Sequence, residues 1–321
     1  MMILTKTPVR IPLAGGGTDL PLFTKRNIGS VMPMAINQYI YTYISKRTAS
    51  NSSIIQTSNL QEVKINSKIR HKIINETLNY FKVKDKIHIG FFSTLPTRSG
   101  IGSSSSLIVG LINSIIAYKK KKLSKYNVAK IAIEIERKIL NEDGGIQDQI
   151  SASFGGINLI KCFKNYKFSV KKIKLNKKNI YFLENSLILV FSNIKRYSSK
   201  IIKSQKINKI SHYKIVKKEV NKIVKIIKCN KKKELGKIFN EHWYRKMKLS
   251  EEMTNTKIDN VYKKIMKNKY FYGGKLIGAG GGGFFLFVVK DIGKVNMFLK
   301  RNNLDFREIK VDSEGSKTII F

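Results

Sequence analysis

The chain has 321 residues, 62 Lys+Arg against 21 Asp+Glu, and a formal net charge of +41. A hydrophobic fraction of 42% and an aromatic fraction of 10% exclude disorder of the whole chain, and the length suggests two domains. Cys162 and Cys229 lie far apart and form no CxxC, which excludes a disulfide scaffold and a cysteine zinc site.

In chain order, Ile3, Val9, Ile11 and Leu13 share one parity, so residues 3–13 read as a strand. It runs into Ala14-Gly15-Gly16-Gly17-Thr18-Asp19, a loop that needs a permissive backbone. Tyr39, Tyr41 and Tyr43 alternate with apolar residues in a second strand, and residues 86–92 make a third. The apolar stretch Leu107 to Ala117 follows as a helix, with lysines 119–122 as an exposed turn. Residues 123–140 are helical by the spacing of Val128, Ile131, Ile135 and Ile139, until Gly144-Gly145 breaks the pattern. Beyond about residue 165 the chain turns more helical and more basic up to Lys269, which puts a domain boundary near 165–166. A short buried strand is expected at 284–289, and 306–321 reads as a hairpin around Glu314-Gly315.

The basic balance invites nucleic acid, but the lysines are spread through the chain as solvated helix faces. Lys217 and Lys218, beside the apolar set Val216, Val220, Ile223, Val224 and Ile227, are one case. No zinc-finger spacing, basic region with heptads or aromatic RNA-binding signature occurs, so no specific nucleic-acid partner is expected. Such a surface still favours anionic small molecules. The most apolar window, 107–118, is shorter than the ~20 residues a bilayer requires, and no signal peptide is evident. A cytoplasmic location without membrane attachment is the expectation.

The strongest chemical feature is Gly100-Ile101-Gly102 followed by four serines and an apolar helix. Glycines let the backbone bend toward a ligand, and the helix start offers unpaired N–H groups and a positive dipole end, which suits phosphate. No Walker A sequence occurs. Gly278 to Gly283 formally satisfies GxGxxG, but it precedes a strand rather than opening a helix, so the dinucleotide reading fails. Close approach to a ligand and close approach to another backbone both remain open there. Arg10 sits at a strand end beside Gly16, Gly17, Thr18 and Asp19, a plausible site for a polar ligand. Among the acids, Glu134, Glu136, Glu142 and Asp143 read as helix-surface charge. Asp148 differs: it follows a glycine pair and is flanked by Gln147 and Gln149, which can orient it. The four histidines are scattered, and none is assigned to a metal.

Together these segments resemble the GHMP small-molecule kinases. The first motif is 8–19, beginning Pro8-Val9-Arg10-Ile11-Pro12-Leu13; the second is 96–106, with Ile101 where Leu is usual; the third is 275–283, beginning Lys275-Leu276-Ile277-Gly278. Within the superfamily the bacterial heptose-7-phosphate kinases are the most similar, through 13–20, 144–149 and 241–250, the last beginning Glu241-His242-Trp243-Tyr244-Arg245-Lys246. In galactokinases the positions of Gly16 and Gly17 carry Glu and His, which counts against galactose.

The resemblance implies an α+β, two-domain GHMP kinase fold. Residues 1–165 would form a ribosomal-protein-S5-like α/β domain and 166–321 a ferredoxin-like α+β domain, with ATP and substrate in the cleft between them. It implies ATP-dependent phosphorylation of D-glycero-D-manno-heptose 7-phosphate at its anomeric hydroxyl, for nucleotide-activated heptose and surface glycans, with Mg²⁺ as cofactor. Carried over, Asp148 and Arg10 are catalytic. Arg98, Ser99, Gly100, Ile101, Gly102, Ser103, Ser104 and Ser105 bind ATP, and Ser104 and Glu136 hold Mg²⁺. Gly16, Gly17, Thr18, Asp19, Gly280 and Gly281 face the sugar. Arg196, Arg245 and Lys248 are candidates for the distal phosphate, and a homodimer is left open. Competing readings are a kinase for another sugar such as fucose or for a non-sugar alcohol, a catalytically silent sugar-binding relative, and a basic nucleic-acid binder.

Overall fold

The structure, a computed structural model, describes residues 1–48, 50–57, 60–64, 69–93, 95–96, 99–194 and 210–321. In chain order it runs β1 (Met2–Ala14), α1 (Pro21–Thr24), β2 (Gly29–Lys46), β3 (Ser52–Gln56), β4 (Leu60–Lys64), α2 (Lys72–Tyr80), β5 (Ile87–Ser93) and α3 (Ser103–Tyr118). Then come α4 (Lys125–Glu134), a single π-helical turn (Ile135–Ile139), α5 (Gln147–Phe154), β6 (Asn158–Cys162), β7 (Phe168–Lys172), α6 (Lys177–Glu184) and β8 (Leu187–Phe191). The last part holds α7 (Ile210–Lys228), α8 (Lys232–Met247), α9 (Thr256–Met266), β9 (Phe271–Leu276), β10 (Phe284–Val289), α10 (Ile292–Arg301), β11 (Phe306–Glu308) and β12 (Lys317–Ile320).

The strands make two sheets. One has the order β12-β1-β2-β5-β3-β4, with β6 paired to the start of β2 and β7 to β6; the other has the order β11-β8-β10-β9. Every pairing is antiparallel except that of β3 with β5. The tyrosines of β2 are half-buried, while Ile40, Thr42 and Ile44 point inward, as period-two patterning requires. From Val9 to Ala14 every residue of β1 is buried, because both faces of that end are covered. The helix α3 is buried nearly all round, from Ser105 to Ile116 with only Asn113 partly open, which matches a sequence that is apolar on every face.

Two sequence expectations need correction. The C-terminal segment is not a hairpin: β11 pairs with β8 in the four-stranded sheet, whereas β12 pairs with β1 in the other. The turn residues Glu314-Gly315 pack instead against Gly155, whose amide lies where a Cβ on Gly315 would intrude at 2.8 Å. The stretch after 165 is also less helical than its texture suggests, since it contains β7 and β8. Leu187–Phe191 is a five-residue, fully buried apolar run, too short to declare its period. Both β7 and β12 lie beyond residue 165, yet they hydrogen-bond within the first sheet.

The main core is continuous between the two halves, joining Ile3, Ile11 and Ile44 to Phe239, Phe284 and Leu286. A second core fills the outer face of the four-stranded sheet around Trp243, whose ring packs against Tyr262 and Phe285. Among the described residues no helix is long and apolar enough to cross a membrane. Trp243→Ala should lower unfolding free energy by about 3–5 kcal/mol, read from the denaturant midpoint. A loss below about 1 kcal/mol would mean that this aromatic cluster does not centre the second core.

Candidate active site

The site is built where β1 meets the N-terminus of α3. Gly100 and Gly102 adopt φ of +81° and +82°, and Gly102 sits immediately before the first residue of α3. A Cβ on Gly102 would come within 3.0 Å of Asp148 Oδ2, so glycine serves both the turn and the approach of the carboxylate. The amide of Arg10 donates to the Ile101 carbonyl (3.2 Å), and Arg10 Nη1 donates to the Gly100 carbonyl (3.2 Å), tying the loop to β1. The rest of the guanidinium makes a two-point contact with Asp148: Nε to Oδ1 at 2.7 Å and Nη2 to Oδ2 at 2.8 Å. A carboxylate offers about four lone-pair directions, so two remain for a hydroxyl in the cavity.

Asp148 stands in the first turn of α5, and Asp19 holds that turn in place. Its Oδ2 accepts from the amides of Ile146 (2.9 Å) and Gln147 (3.1 Å), and Gln147 Nε2 donates to both oxygens. Burial pushes the Asp19 carboxyl above its ordinary range, and the neighbouring Asp148 charge adds to that, against the amide hydrogen bonds. A Cβ on Gly145 would meet Asp19 Oδ2 at 1.9 Å, so the second glycine of the Gly144-Gly145 pair is the seat of this carboxylate.

Glu136 lies in the π-helical turn, an element often associated with functional sites. It is buried, and its Oε2 takes Ser105 Oγ (2.7 Å), Gln149 Nε2 and the Arg137 guanidinium (3.6 Å). All three contacts fall on one oxygen. Nearby, the buried hydroxyls of Ser99 and Ser103 have no hydrogen-bond partner among the described residues. Orphan donors at a helix start fit nucleotide phosphates, and one buried carboxylate with a serine fits Mg²⁺, which usually completes its shell with phosphates and water. Among the described residues no cluster of three metal-ligating side chains occurs, as that mode of binding requires none.

A cavity of about 510 Å³ collects these groups. Its walls include Arg10, Gly16, Gly17, Asp19, Ser99, Gly100, Gly102, Ser103, Ser104, Ser105, Glu136 and Asp148. Ser104 is exposed on the wall, and it is Ser105 that touches Glu136. Ile101 is fully buried beneath the loop, and Arg98 and Arg196 lie outside the described residues.

Three placements differ from expectation. Thr18 does not line the cavity: its hydroxyl lies 2.8 Å from the Gly15 carbonyl and 2.9 Å from that of Ser30, and accepts the Ser30 amide. It is a strut of the glycine loop. Gly280 and Gly281 also lie behind the wall, where Gly278 and Ala279 take their place. A Cβ on Gly280 would meet Met253 Sδ at 2.2 Å, and the Gly281 amide donates to the Met253 carbonyl. Gly280 and Gly281 therefore serve packing, and the stretch delivers Phe284, whose amide donates to the Ser99 carbonyl (3.3 Å) and joins the second sheet to the serine loop. Arg245 is spent on Glu219, and Lys248 is exposed away from the cavity.

The sequence reading did not place in the site Arg137, which lies beside Glu136, nor the wall from the second half of the chain: His212, Tyr213, His242, Lys246 and Lys275. Lys275 heads the third glycine motif, and nothing local in that pattern marks the lysine as buried. It is buried, donates to the Leu13 carbonyl (2.8 Å) and stands 4.0 Å from the centre of the Phe239 ring. Burial brings its ammonium down to about 7, opposed by the charge of Glu219. Burial and the surrounding lysines likewise push His242 well below its ordinary value, and its Nδ1 lies 3.3 Å from Glu219.

The family model described as "GHMP kinases N terminal domain" matches residues 68–156, which carry the serine loop, Glu136 and Asp148. Over 98% of its length the chain is 30% identical to D-glycero-alpha-D-manno-heptose 7-phosphate kinase of Campylobacter jejuni, 98% of which is covered. The chain belongs to the GHMP kinase superfamily. It is 28% identical to mevalonate kinase of Methanocaldococcus jannaschii over 73% of this chain and 72% of that one. The fold agrees: a D-glycero-D-manno-heptose 1-phosphate kinase from Bacteroides thetaiotaomicron superposes with a TM-score of 0.81 at 23% identity, covering 99% of each chain. This GHMP kinase is accordingly an ATP-dependent phosphotransferase of the sugar-kinase type.

If Thr18 is a strut, Thr18→Val should cost about 1–3 kcal/mol of stability by stranding the Ser30 amide. The acceptor KM of the folded variant should be unchanged. A KM raised more than tenfold at unaltered melting temperature would return Thr18 to the substrate.

Proposed function

We propose that the enzyme transfers the γ-phosphoryl group of ATP to the anomeric hydroxyl of D-glycero-D-manno-heptose 7-phosphate, giving the 1,7-bisphosphate. The observation that carries the chemistry is the two-point Arg10–Asp148 pair set beneath the glycine-serine loop. The acceptor is supported by the likeness to the Campylobacter jejuni heptose 7-phosphate kinase along nearly the whole chain.

In this reading the Gly100–Ser105 loop and the start of α3 cradle the nucleotide phosphates, with the orphan hydroxyls of Ser99 and Ser103 as further donors. Mg²⁺, held by Ser104 and Glu136, would neutralise charge on those phosphates. Asp148 accepts a hydrogen bond from the anomeric hydroxyl and aims its oxygen at the γ-phosphorus. As the new O–P bond forms, the bond from that phosphorus to the β–γ bridging oxygen breaks, ADP leaves, and the hydroxyl proton passes to Asp148 and on to water. Arg10 fixes the carboxylate and carries positive charge beside the transferred group. Phosphoryl transfer depends chiefly on such positioning and charge neutralisation. Gly16, Gly17 and Asp19 form the sugar-facing floor of the cavity.

The first test is ADP release with Mg-ATP over heptose 7-phosphate, unphosphorylated heptose, mannose, galactose and fucose, with phosphorus NMR to locate the new phosphate. Turnover of heptose 7-phosphate with a new anomeric phosphorus signal is expected. Turnover confined to a neutral sugar would leave a sugar kinase with a different acceptor. Asp148→Asn should retain ADP affinity and lose about 10²–10⁴ in kcat. A kcat within a few-fold of the unaltered enzyme would remove Asp148 from the mechanism.

A further inference from the structure

The reacting end of the cavity does not use its opposite wall. That wall comes from α7, α8 and β9, through His212, His242, Lys246 and Lys275. All four lie outside the segment matched by the family model, with Lys275 at the head of the third GHMP motif. The His212 and His242 rings are 5.9 Å apart, and Lys246 Nζ reaches the Leu276 and Gly278 carbonyls at 3.1 and 2.7 Å. The carboxylate in this neighbourhood, Glu219, stands behind His242, is paired with Arg245 and does not line the cavity.

Lys275 is the anomaly. It is 3% exposed, yet among the described residues no carboxylate lies within ion-pair distance; its partners are a carbonyl and an aromatic face. A buried ammonium without a counter-charge is costly, and its lowered pKa expresses that cost. An arriving dianion would remove it.

The position is set by β1. Lys275 is anchored on the carbonyl of Leu13, three residues beyond Arg10 in the same strand. A strand advances ~3.3 Å per residue, so the backbone points that carry Arg10 and anchor Lys275 stand on the order of 10 Å apart. That is comparable with the reach from the first oxygen of a seven-carbon sugar to a phosphate on its last.

We propose that Lys275, with Lys246 and the His212–His242 pair, forms the subsite for a phosphate at the end of the sugar remote from the hydroxyl that reacts. The inference rests on the reading of the enzyme as a kinase of a sugar phosphate, and it names the groups that read that phosphate. It replaces Arg245 and Lys248 in that role.

The test is calorimetric binding in the presence of Mg-ADP, with heptose 7-phosphate, heptose, mannose 6-phosphate and mannose, to the wild-type enzyme and to Lys275→Met. The wild type should bind each phosphorylated sugar at least about tenfold tighter than its neutral parent. Lys275→Met should weaken the phosphorylated sugars by about 10–100-fold, the range for a charge-assisted hydrogen bond, and the neutral ones by less than about threefold. Unaltered ADP affinity shows that the variant is folded. A second measurement needs no variant: phosphorus NMR of the sugar phosphate bound to the wild type should show it remaining dianionic to a pH about one unit below that of the free ester. Equal losses for phosphorylated and neutral sugars, or a bound phosphate that titrates like the free one, would overturn the subsite. Failure of the substrate reading looks different. If heptose 7-phosphate is not turned over while mannose 6-phosphate still loses affinity selectively in the variant, the acceptor is wrong and the subsite stands. If heptose 7-phosphate is turned over but the variant shows no selectivity, the reverse holds.

Discussion

A carboxylate almost wholly withdrawn from water orders the turn that carries Asp148. Asp19 is 2% exposed, and it accepts the amides of Ile146 and Gln147 where α5 begins. Those amides would otherwise be unpaired at a helix start, and the helix dipole favours a negative charge there. Through this contact the loop after β1 fixes the pitch of α5, hence the position of Asp148 one residue further on, hence the Arg10 pair. The glycines on both sides follow from it: Gly145 makes room for the carboxylate, and Gly15, with a Cβ that would lie 2.0 Å from the Ser30 carbonyl, lets the loop fold back on β2. The price is a second acid close to Asp148, which the buried amides offset. Asp19 thus orients the chemistry in addition to any contact with the sugar.

The parts that sequence made legible are those where a local rule is strong. The alternation of β1 and β2, the all-apolar α3 and the glycine-serine turn each announce themselves within a dozen residues. Asp148 was legible for a similar reason, standing between two amides after a glycine pair. What failed depends on contacts between distant segments. Nothing local distinguishes a C-terminal hairpin from two strands that part company, because the choice is made by free edges on β8 and β1, far away in the chain. Thr18 reads like a ligand-facing hydroxyl until Ser30 is brought beside it, and Gly280 reads like a ligand contact until Met253 fills the space. The cationic wall was illegible for the opposite reason. With 62 basic residues, a functional lysine differs from the rest only in being buried, which no count reveals.

That contrast also says how the surplus charge is organised. Most lysines lie in water, where screening makes each of little consequence beyond about a Debye length. Few cations are withdrawn from solvent, and they carry different weight. Arg10 meets a carboxylate at two points, Arg137 clasps the Glu142 and Gly145 carbonyls beside Glu136, and Lys275 meets no acid. The first two are compensated within the protein and are suited to holding geometry. The third is uncompensated and is suited to receiving charge.

The division follows the chain. The serine loop, Glu136 and Asp148 all lie within the segment that matches the GHMP kinase family model. The far wall comes from α7, α8 and β9, beyond that segment, with Lys275 at the head of the third glycine motif. The two are held to one scale by β1, which carries Arg10 on one side and the Leu13 carbonyl on the other. The Phe284 amide on the Ser99 carbonyl locks the second sheet to the nucleotide loop, so the spacing between the walls is a property of backbone hydrogen bonds rather than of side chains. With the walls spaced by backbone, the proposed phosphate subsite would read the length and terminal charge of an acceptor without altering the groups around Asp148.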